Sequence, residues 1–168
     1  MESNQVGLKK VAVMCLLDCG SEFLLLKRNK DPHVGKYIPI GGKIDPFETP
    51  CDAIIREVKE ESHIIIKAPS LVGMLVETSP VNFNWVSFIY RAKIEKLMPL
   101  PCDEGVLDWI PYTMLSNVPT PEADVFIYDL AKKGEYFHLD AQYDECLNLL
   151  LLTNKITETV LFRRDYNS

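Results

Sequence analysis

The sequence lacks a paired set of cysteines. It has five cysteines, an odd number, and no two of them form a C-x-x-C pair: Cys15, Cys19, Cys51, Cys102 and Cys146. This pattern argues against a disulfide framework and a zinc site, and it is typical of reduced thiols in a cytosol. We therefore predict a cytoplasmic protein whose cysteines serve as small hydrophobic residues.

Positive charge is also scarce. The chain has 18 Lys and Arg against 24 Asp and Glu, a formal net charge of -6, and no block of basic residues. Nucleic acid polymers are therefore not expected as partners, because little is available to neutralise a phosphate backbone. A small phosphate ester held through a metal cation remains compatible, since carboxylates bind such cations.

Long hydrophobic runs are missing as well. The longest, residues 11–17 and 149–152, are far shorter than the roughly 20 residues that cross a bilayer. Residues 1–10 are too polar for a secretory leader, which needs a basic start and an apolar stretch. Since 47% of the 168 residues are hydrophobic, we expect one domain over residues 1–168, with no membrane partner and no export.

Short apolar segments bounded by turn residues predict a series of β-strands. The first two, residues 11–17 and 22–27, flank an Asp-Cys-Gly-Ser turn and predict a hairpin. Further strands are expected at residues 37–40, 64–66, 71–77, 84–94 and 106–110, with one or two more within 136–152.

Two segments have helical patterns. For residues 50–62, Thr49 is the expected N-cap, Pro50 the first residue, and Asp52 the partner in a capping box. Apolar residues follow at the spacing i, i+3, i+4, i+7, namely Cys51, Ile54, Ile55 and Val58. A second helix is predicted over residues 121–133, ending at Gly134. Strands on both sides of the first helix favour an α/β fold with a mixed sheet between helices.

Three carboxylates are concentrated on the first predicted helix. Glu57, Glu60 and Glu61 stand at i, i+3 and i+4, which places them on one side of the cylinder, where they repel. One interpretation is a solvated acidic face paired with Arg56 and Lys59. The alternative is a metal site at the edge of a cleft, because the apolar stripe adjoins the carboxylates and Mg²⁺ prefers hard oxygen ligands.

These residues belong to a longer pattern that resembles the Nudix box, G-x5-E-x7-R-E-U-x-E-E-x-G-U with U aliphatic. The matching residues are Gly42, Glu48, Arg56, Glu57, Val58, Glu60, Glu61 and Ile64. Six fixed positions match by chance with a probability on the order of 10⁻⁷ per starting point. The resemblance implies a Nudix hydrolase, a nucleotide diphosphatase with an α/β/α sandwich fold. His63 departs from the box glycine, but histidine adopts the left-handed conformation needed there more readily than most residues.

The resemblance also implies the metal ligands. Glu57, Glu60 and Glu61 would hold Mg²⁺, with Mn²⁺ as a possible substitute, and the carbonyl oxygen of Gly41 or Gly42 would add a ligand. The bound metal would activate a water for attack on phosphorus, so Glu60 and Glu61 also count as catalytic residues.

Outside the three ligands, the resemblance assigns supporting residues. Glu48 and Arg56 would tie the helix to the preceding loop, as residues behind metal ligands usually do. Glu104 is a candidate base or extra ligand, since Asp103-Glu104-Gly105 followed by Asp108-Trp109 is similar to an acidic loop of MutT-type enzymes. The alternative is an exposed acidic turn.

The segments around Arg28, Tyr37 and Lys43 look like those of MutT-type 8-oxo-dGTP diphosphatases. This likeness predicts hydrolysis of a nucleoside triphosphate, including an oxidised purine, to a monophosphate and pyrophosphate. Tyr37 would stack on the base or else pack in the core. Glu122 or Asp124 would accept hydrogen bonds from the adjacent N–H donors of guanine.

Two other functions stay open at this point. Pro80, about sixteen residues after the box, is similar to a proline of ADP-ribose diphosphatases, and nucleotide sugars are related substrates. A Nudix-fold regulator without activity is the second alternative, although such proteins typically lose box carboxylates. We expect a small nucleotide as the ligand and leave the choice between monomer and homodimer open.

Overall fold

The structure is a computed structural model that describes residues 6–165, in which ten strands form one sheet. The predicted domain limits at residues 1 and 168, and the prediction made for residues 1–5, lie outside the described residues. The strands are β1 (Lys10–Asp18), β2 (Glu22–Arg28), β3 (Tyr37–Ile38), β4 (Ile40–Lys43), β5 (Ser70–Thr78), β6 (Trp85–Lys93), β7 (Gly105–Pro111), β8 (Phe137–Tyr143), β9 (Leu149–Asn154) and β10 (Thr159–Arg163).

The sheet is mixed, with the order β10-β9-β8-β5-β6-β1-β2-β3, while β4 pairs with β1 and β7 pairs with β2. The β1–β6 and β5–β8 pairs are parallel, and the other pairs are antiparallel. The predicted hairpin is short, because β1 and β2 pair only at Leu17↔Leu24 and Asp18↔Phe23. Over the rest of its length β1 lies between β6 and β4, so the strand that carries the glycines is anchored at the centre of the sheet.

The two helices, α1 (Pro50–Ser62) and α2 (Asp124–Lys133), cover opposite faces of the sheet. Successive residues of a strand point to opposite faces. Accordingly Cys15 and Leu17 pack in the core under α1, whereas Leu16 packs in the core under α2. The predicted fold class, a mixed sheet between helices in a Nudix-type α/β/α sandwich, is confirmed.

Helix α1 has the predicted bounds. The Thr49 side chain accepts a hydrogen bond from the Asp52 backbone N–H at 3.1 Å, which caps the first turn. His63 ends the helix in the left-handed conformation with φ 60°, and its N–H donates to the Lys59 carbonyl. Helix α2 ends at Gly134 as predicted, but it begins three residues later than residue 121.

Other predicted elements need correction. Residues 64–66 form no strand, because Ile66 and the partly buried Ile64 pack under α1 instead of pairing with the sheet. Strand β10 was not predicted, since it is short and largely exposed and so lacks a clear apolar alternation. All five cysteines have free thiols. Neither helix within residues 6–165 is long and apolar enough to cross a membrane.

Candidate active site

The centre of the site is the glycine pair of strand β4. A Cβ atom added at Gly42 would lie 2.3 Å from Oε1 of Glu57, and one added at Gly41 would lie 2.0 Å from the Val13 carbonyl oxygen. Both distances are far below van der Waals contact, so only glycine permits this packing. The glycines therefore bring a carboxylate of helix α1 directly against the strand.

Two of the three box carboxylates turn inward. The Glu57 side chain is 13% exposed and accepts a 2.8 Å hydrogen bond from Arg56, while Oε2 of Glu61 accepts one from the Gly41 N–H at 3.3 Å. Burial raises the pKa of both carboxyl groups. For Glu61, burial and the negative charge of Glu57 together raise the pKa to about 7. Two carboxylates held this close and partly dehydrated favour a cation between them.

Glu60 has a different environment. Its side chain is 60% exposed, and it shares the Nη1 atom of Arg56 with Glu57 at 3.3 Å. Glu60 thus lies on the solvent side of the three box carboxylates, and it can bind a ligand only after its contact with Arg56 breaks.

Arg56 and Glu48 join helix α1 to the loop after β4. Nε and Nη2 of Arg56 each donate to one Glu48 carboxylate oxygen at 2.8 Å, and Nη2 also donates to the Lys43 carbonyl. The hydrogen bonds from Arg56 and from the Asp45 N–H lower the pKa of Glu48 to about 2. This bidentate pair keeps Glu48 ionised and sets the position of the helix relative to the glycines.

The donor atoms fit a divalent cation of the Mg²⁺ type. Among residues 6–165 no three His, Cys, Asp or Glu side chains converge closely enough to hold a metal by themselves. Mg²⁺ rarely uses such a cage, because it takes one or two carboxylates and completes its octahedron with waters and phosphate oxygens. Glu57 and Glu61, which both lie against the glycine turn, supply that number of carboxylates.

Glu104 lies on the loop before β7, on the same side of the molecule as Glu61. It forms ion pairs with Lys30 at 2.7 Å and Arg28 at 3.8 Å. Its negative charge is one of the influences that raise the pKa of Glu61, so the two carboxylates lie near one another.

A cavity of about 490 Å³ adjoins the glycines, a volume typical of small-molecule sites. Gly41, Gly42 and Lys43 line it, and so do Glu77 of β5 and Asp124 of α2. The cavity therefore connects the glycine turn with a second acidic region, whereas Glu57, Glu60 and Glu61 are not among the residues that line it.

Four of the predicted substrate-binding residues line this cavity, namely Arg28, Lys43, Glu122 and Asp124. Glu122 is already engaged, because it accepts hydrogen bonds from the Leu149 N–H at 3.0 Å and from Arg164 at 2.5 Å. The Asp124 side chain is different: the residue is 5% exposed, and no group within residues 6–165 donates a hydrogen bond to its carboxyl oxygens. Burial raises its pKa well above the ordinary value, with the charge of Glu77 adding to the shift.

Tyr37 is not among the residues that line the cavity. Its hydroxyl donates to Asp108 at 2.8 Å, and Lys27 lies 5.7 Å from its ring centroid. Stacking of Tyr37 on a base stays a prediction, and the observed contacts favour the packing alternative.

Sequence reasoning missed the aromatic and acidic residues on the far side of the cavity: Glu77, Phe83, Trp85 and Tyr143. Glu77 pairs with Trp85 across β5 and β6, so the two side chains lie on one face of the sheet. The sequence did contain one indication of Glu77: it is a single carboxylate that follows Gly73 and Leu75 on the inward face of an otherwise apolar strand. Phe83 and Trp85 are two residues apart, before and at the start of β6, whereas Tyr143 lies far away in sequence at the end of β8.

The α/β/α sandwich thus carries a helix that presents carboxylates to a glycine turn beside a cavity of ligand size. The chain belongs to the Nudix family: the NUDIX domain matches residues 8–130. It is therefore a Nudix hydrolase that acts on a nucleotide-like substrate, and enzymes of this family generally use divalent metal ions.

Several proteins are similar to this chain. The uncharacterised Nudix hydrolase YvcI of Bacillus subtilis is 29% identical over 126 residues, which are 72% of this chain and 78% of that protein. An ADP-ribose pyrophosphatase of Methanocaldococcus jannaschii is 38% identical over 64 residues, 38% of each chain. The crystal structure of a mutator MutT protein from Bacillus halodurans superimposes with a TM-score of 0.78 and 22% identity, covering 88% of this chain and 98% of that one. The last likeness shows the common fold.

Proposed function

We propose that this protein hydrolyses a purine nucleoside triphosphate of the guanine type, including an oxidised form such as 8-oxo-dGTP, to the monophosphate and pyrophosphate with Mg²⁺. The observation that carries the proposal is the cavity. It joins a region fit for a metal–phosphate group, at Gly41, Gly42 and Lys43, to a region with aromatic walls and an unpaired carboxyl group, Asp124.

At the phosphate end, Glu57, Glu61 and a carbonyl oxygen of Gly41 or Gly42 would hold Mg²⁺ or, as a substitute, Mn²⁺. The bound metal supplies an activated water and neutralises phosphate charge. Glu60 has a mostly exposed side chain and would turn toward an additional ion after its contact with Arg56 breaks.

The protein's own groups would orient the phosphates and accept a proton. Arg28 and Lys43 line the cavity as cations and would bind phosphate oxygens. Glu104 and Glu61 lie near one another, and either would accept the proton from the attacking water. Arg56 and Glu48 act indirectly, because they hold helix α1 against the glycine turn.

At the base end, Asp124 provides hydrogen-bond acceptors, and Trp85 and Phe83 provide apolar surface for a planar ring. A base that covers the Asp124 carboxyl group removes the water around it, and N–H donors of that base would replace the lost hydrogen bonds. Guanine and 8-oxoguanine have two adjacent N–H groups on one edge, whereas pyrimidine bases lack that combination at that distance from the sugar.

ADP-ribose is the second candidate substrate. Two observations favour it: a relative over part of the chain is named an ADP-ribose pyrophosphatase, and Pro80 lies in the β5–β6 connection, which also carries the cavity residue Phe83. An inactive nucleotide-binding regulator is the remaining alternative, but all box carboxylates are present.

A panel of nucleotides with Mg²⁺ or Mn²⁺ tests the proposal. Guanine, 8-oxoguanine, adenine and pyrimidine triphosphates, ADP-ribose and nucleotide sugars are compared by kcat/KM. The expected result is the highest value for a guanine-type triphosphate. Preference for ADP-ribose or a nucleotide sugar would replace the proposed substrate, and absence of turnover with every compound would favour the regulator.

A further inference from the structure

We propose that Glu77 is a second residue that contacts the base, and that it selects bases with a 2-amino group. Tyr143, which lies on a strand after the residues matched by the family, positions Glu77. The inference rests on the proposed function and deepens it. Residues 8–130 match the family, whereas Tyr143 lies in β8, outside that range. The specificity of this chain would thus depend on a segment beyond the shared domain.

The position of Glu77 follows from strand geometry. Gly73, Leu75 and Glu77 point to the inner face of β5, and Leu75 packs in the core under α2. Glu77 is the last of the three, 9% exposed, and it reaches the cavity beyond the edge of that core. A strand residue at this point in a purely structural role would be expected to be apolar, like Leu75.

Tyr143 holds one side of this carboxyl group. Its hydroxyl donates to Oε1 of Glu77 at 2.9 Å, and its ring packs edge-on against Phe83 with centroids 5.9 Å apart. No group within residues 6–165 donates a hydrogen bond to the other oxygen, Oε2. Tyr143 therefore leaves Glu77 with one fixed acceptor available to a ligand.

Asp124 is the independent observation that points to a ligand. The residue is 5% exposed and lines the same cavity, and no group within residues 6–165 donates a hydrogen bond to its carboxyl group. Because the described residues have no buried side-chain oxygen that lacks a partner, its carboxyl oxygens are open to this cavity. The charge of Glu77 raises its pKa, so the two carboxyl groups are near one another. The positive charge of Lys36 opposes the rise in the pKa of Asp124, and that of Lys9 opposes the rise in the pKa of Glu77. Lys9 donates a hydrogen bond to the Glu77 backbone carbonyl and not to the carboxyl group.

Glu77 and Asp124 both present hydrogen-bond acceptors to one cavity. Whether ionised or protonated, each carboxyl group keeps an oxygen that accepts a hydrogen bond. A ring with two neighbouring N–H donors, the ring N–H and the 2-amino group of guanine, satisfies both. Hypoxanthine has the ring N–H but no 2-amino group, so it leaves one buried carboxyl group unpaired.

The test compares dGTP with dITP, which differ only in the 2-amino group. Wild-type protein is expected to prefer dGTP in kcat/KM by at least about 10-fold, the effect of one hydrogen bond to a buried charged group. Glu77→Met keeps the side-chain length but removes both oxygens, and should reduce this preference to within about 3-fold.

Tyr143→Phe covers the case in which Glu77→Met fails to fold, because it removes a single hydroxyl. It should lower the dGTP preference through KM and not through kcat, since Tyr143 positions Glu77 and touches no reacting atom. Tyr136→Phe is the matched control, because Tyr136 is 70% exposed and does not line the cavity. Binding of the products dGMP and dIMP without metal, measured by calorimetry, should show the same loss of preference.

The outcomes separate the inference from the proposed function. If wild-type protein hydrolyses dGTP and folded Glu77→Met and Tyr143→Phe variants keep its dGTP preference, Glu77 does not contact the base and the inference is overturned, while the function stands. Equal rates on dGTP and dITP in the wild-type protein would have the same meaning. If no triphosphate is hydrolysed, the proposed function and the inference fail together.

Discussion

Replacement of Gly42 by alanine isolates the contact between strand β4 and helix α1. The added Cβ would lie 2.3 Å from Oε1 of Glu57, about 1 Å short of an ordinary contact near 3.4 Å. The atom in the way is the end of a flexible side chain, and the Gly42 backbone has no positive φ, so the chain can fold. The Glu57 carboxylate must then move by about 1 Å.

A displacement of that size at a metal-binding carboxylate is expected to lower kcat/KM by about 10²-fold, the usual effect of a 1 Å misplacement on catalysis. The melting temperature should stay near that of the wild-type protein. The assay is steady-state hydrolysis of a guanine-type triphosphate at saturating Mg²⁺, with thermal unfolding of the same preparation.

Gly41→Ala is the matched control. Its Cβ would lie 2.0 Å from a backbone oxygen, that of Val13, which is fixed by the pairing of β1 with β4. This variant should lose stability, by about 1–3 kcal/mol or more as for other overpacked cores. If Gly42→Ala keeps full activity, Glu57 does not need its observed position, and the proposed metal site at the glycines is wrong.

Further predictions concern catalysis, positioning and acid stability. Glu61→Gln keeps the size and helix propensity of the residue and should lower kcat by at least about 10²-fold with an unchanged circular dichroism spectrum; a near-normal rate would exclude Glu61 as a ligand. Arg56→Lys cannot bind Glu48 through two nitrogens, so kcat/KM should fall by about 10-fold or more, and unchanged kinetics would show that the pair does not position the helix. Burial alone would raise the pKa of Asp18, but hydrogen bonds from Tyr112 and Arg91 outweigh it, and the folded-state pKa lies below 3.8. Asp18 therefore stabilises the fold above about pH 4, and this stability is lost as the pH falls. Urea unfolding of Asp18→Asn should show a smaller loss of stability between pH 5 and pH 3 than the wild-type protein shows, in a window of roughly two pH units around the ordinary carboxyl pKa; equal losses would contradict the assignment.

The helix and its carboxylates were predictable because the information for them is local. Thr49, Pro50 and the apolar spacing of α1 are contiguous, and the structure has the helix at the predicted bounds. The left-handed end at His63 also follows from residue chemistry, despite the missing glycine. The relation of Glu48 to Arg56 is local in the same sense, since eight residues separate them.

The far side of the cavity was not predictable in the same way. Glu77 and Tyr143 are 66 residues apart, and they meet only because β5 and β8 pair in parallel. The prediction for Glu122 also lacked this long-range information, since Arg164 and the Leu149 N–H occupy its carboxylate from the C-terminal strands. Residues 64–66 have a strand-like composition, yet packing under α1 determines their conformation.

The most direct test of the proposed function is the identification of products from dGTP, or from 8-oxo-dGTP, with Mg²⁺ and the wild-type protein. We expect equal amounts of nucleoside monophosphate and pyrophosphate, and loss of turnover on addition of EDTA without unfolding. Release of inorganic phosphate with a nucleoside diphosphate, or turnover that persists in EDTA, would contradict the proposed function.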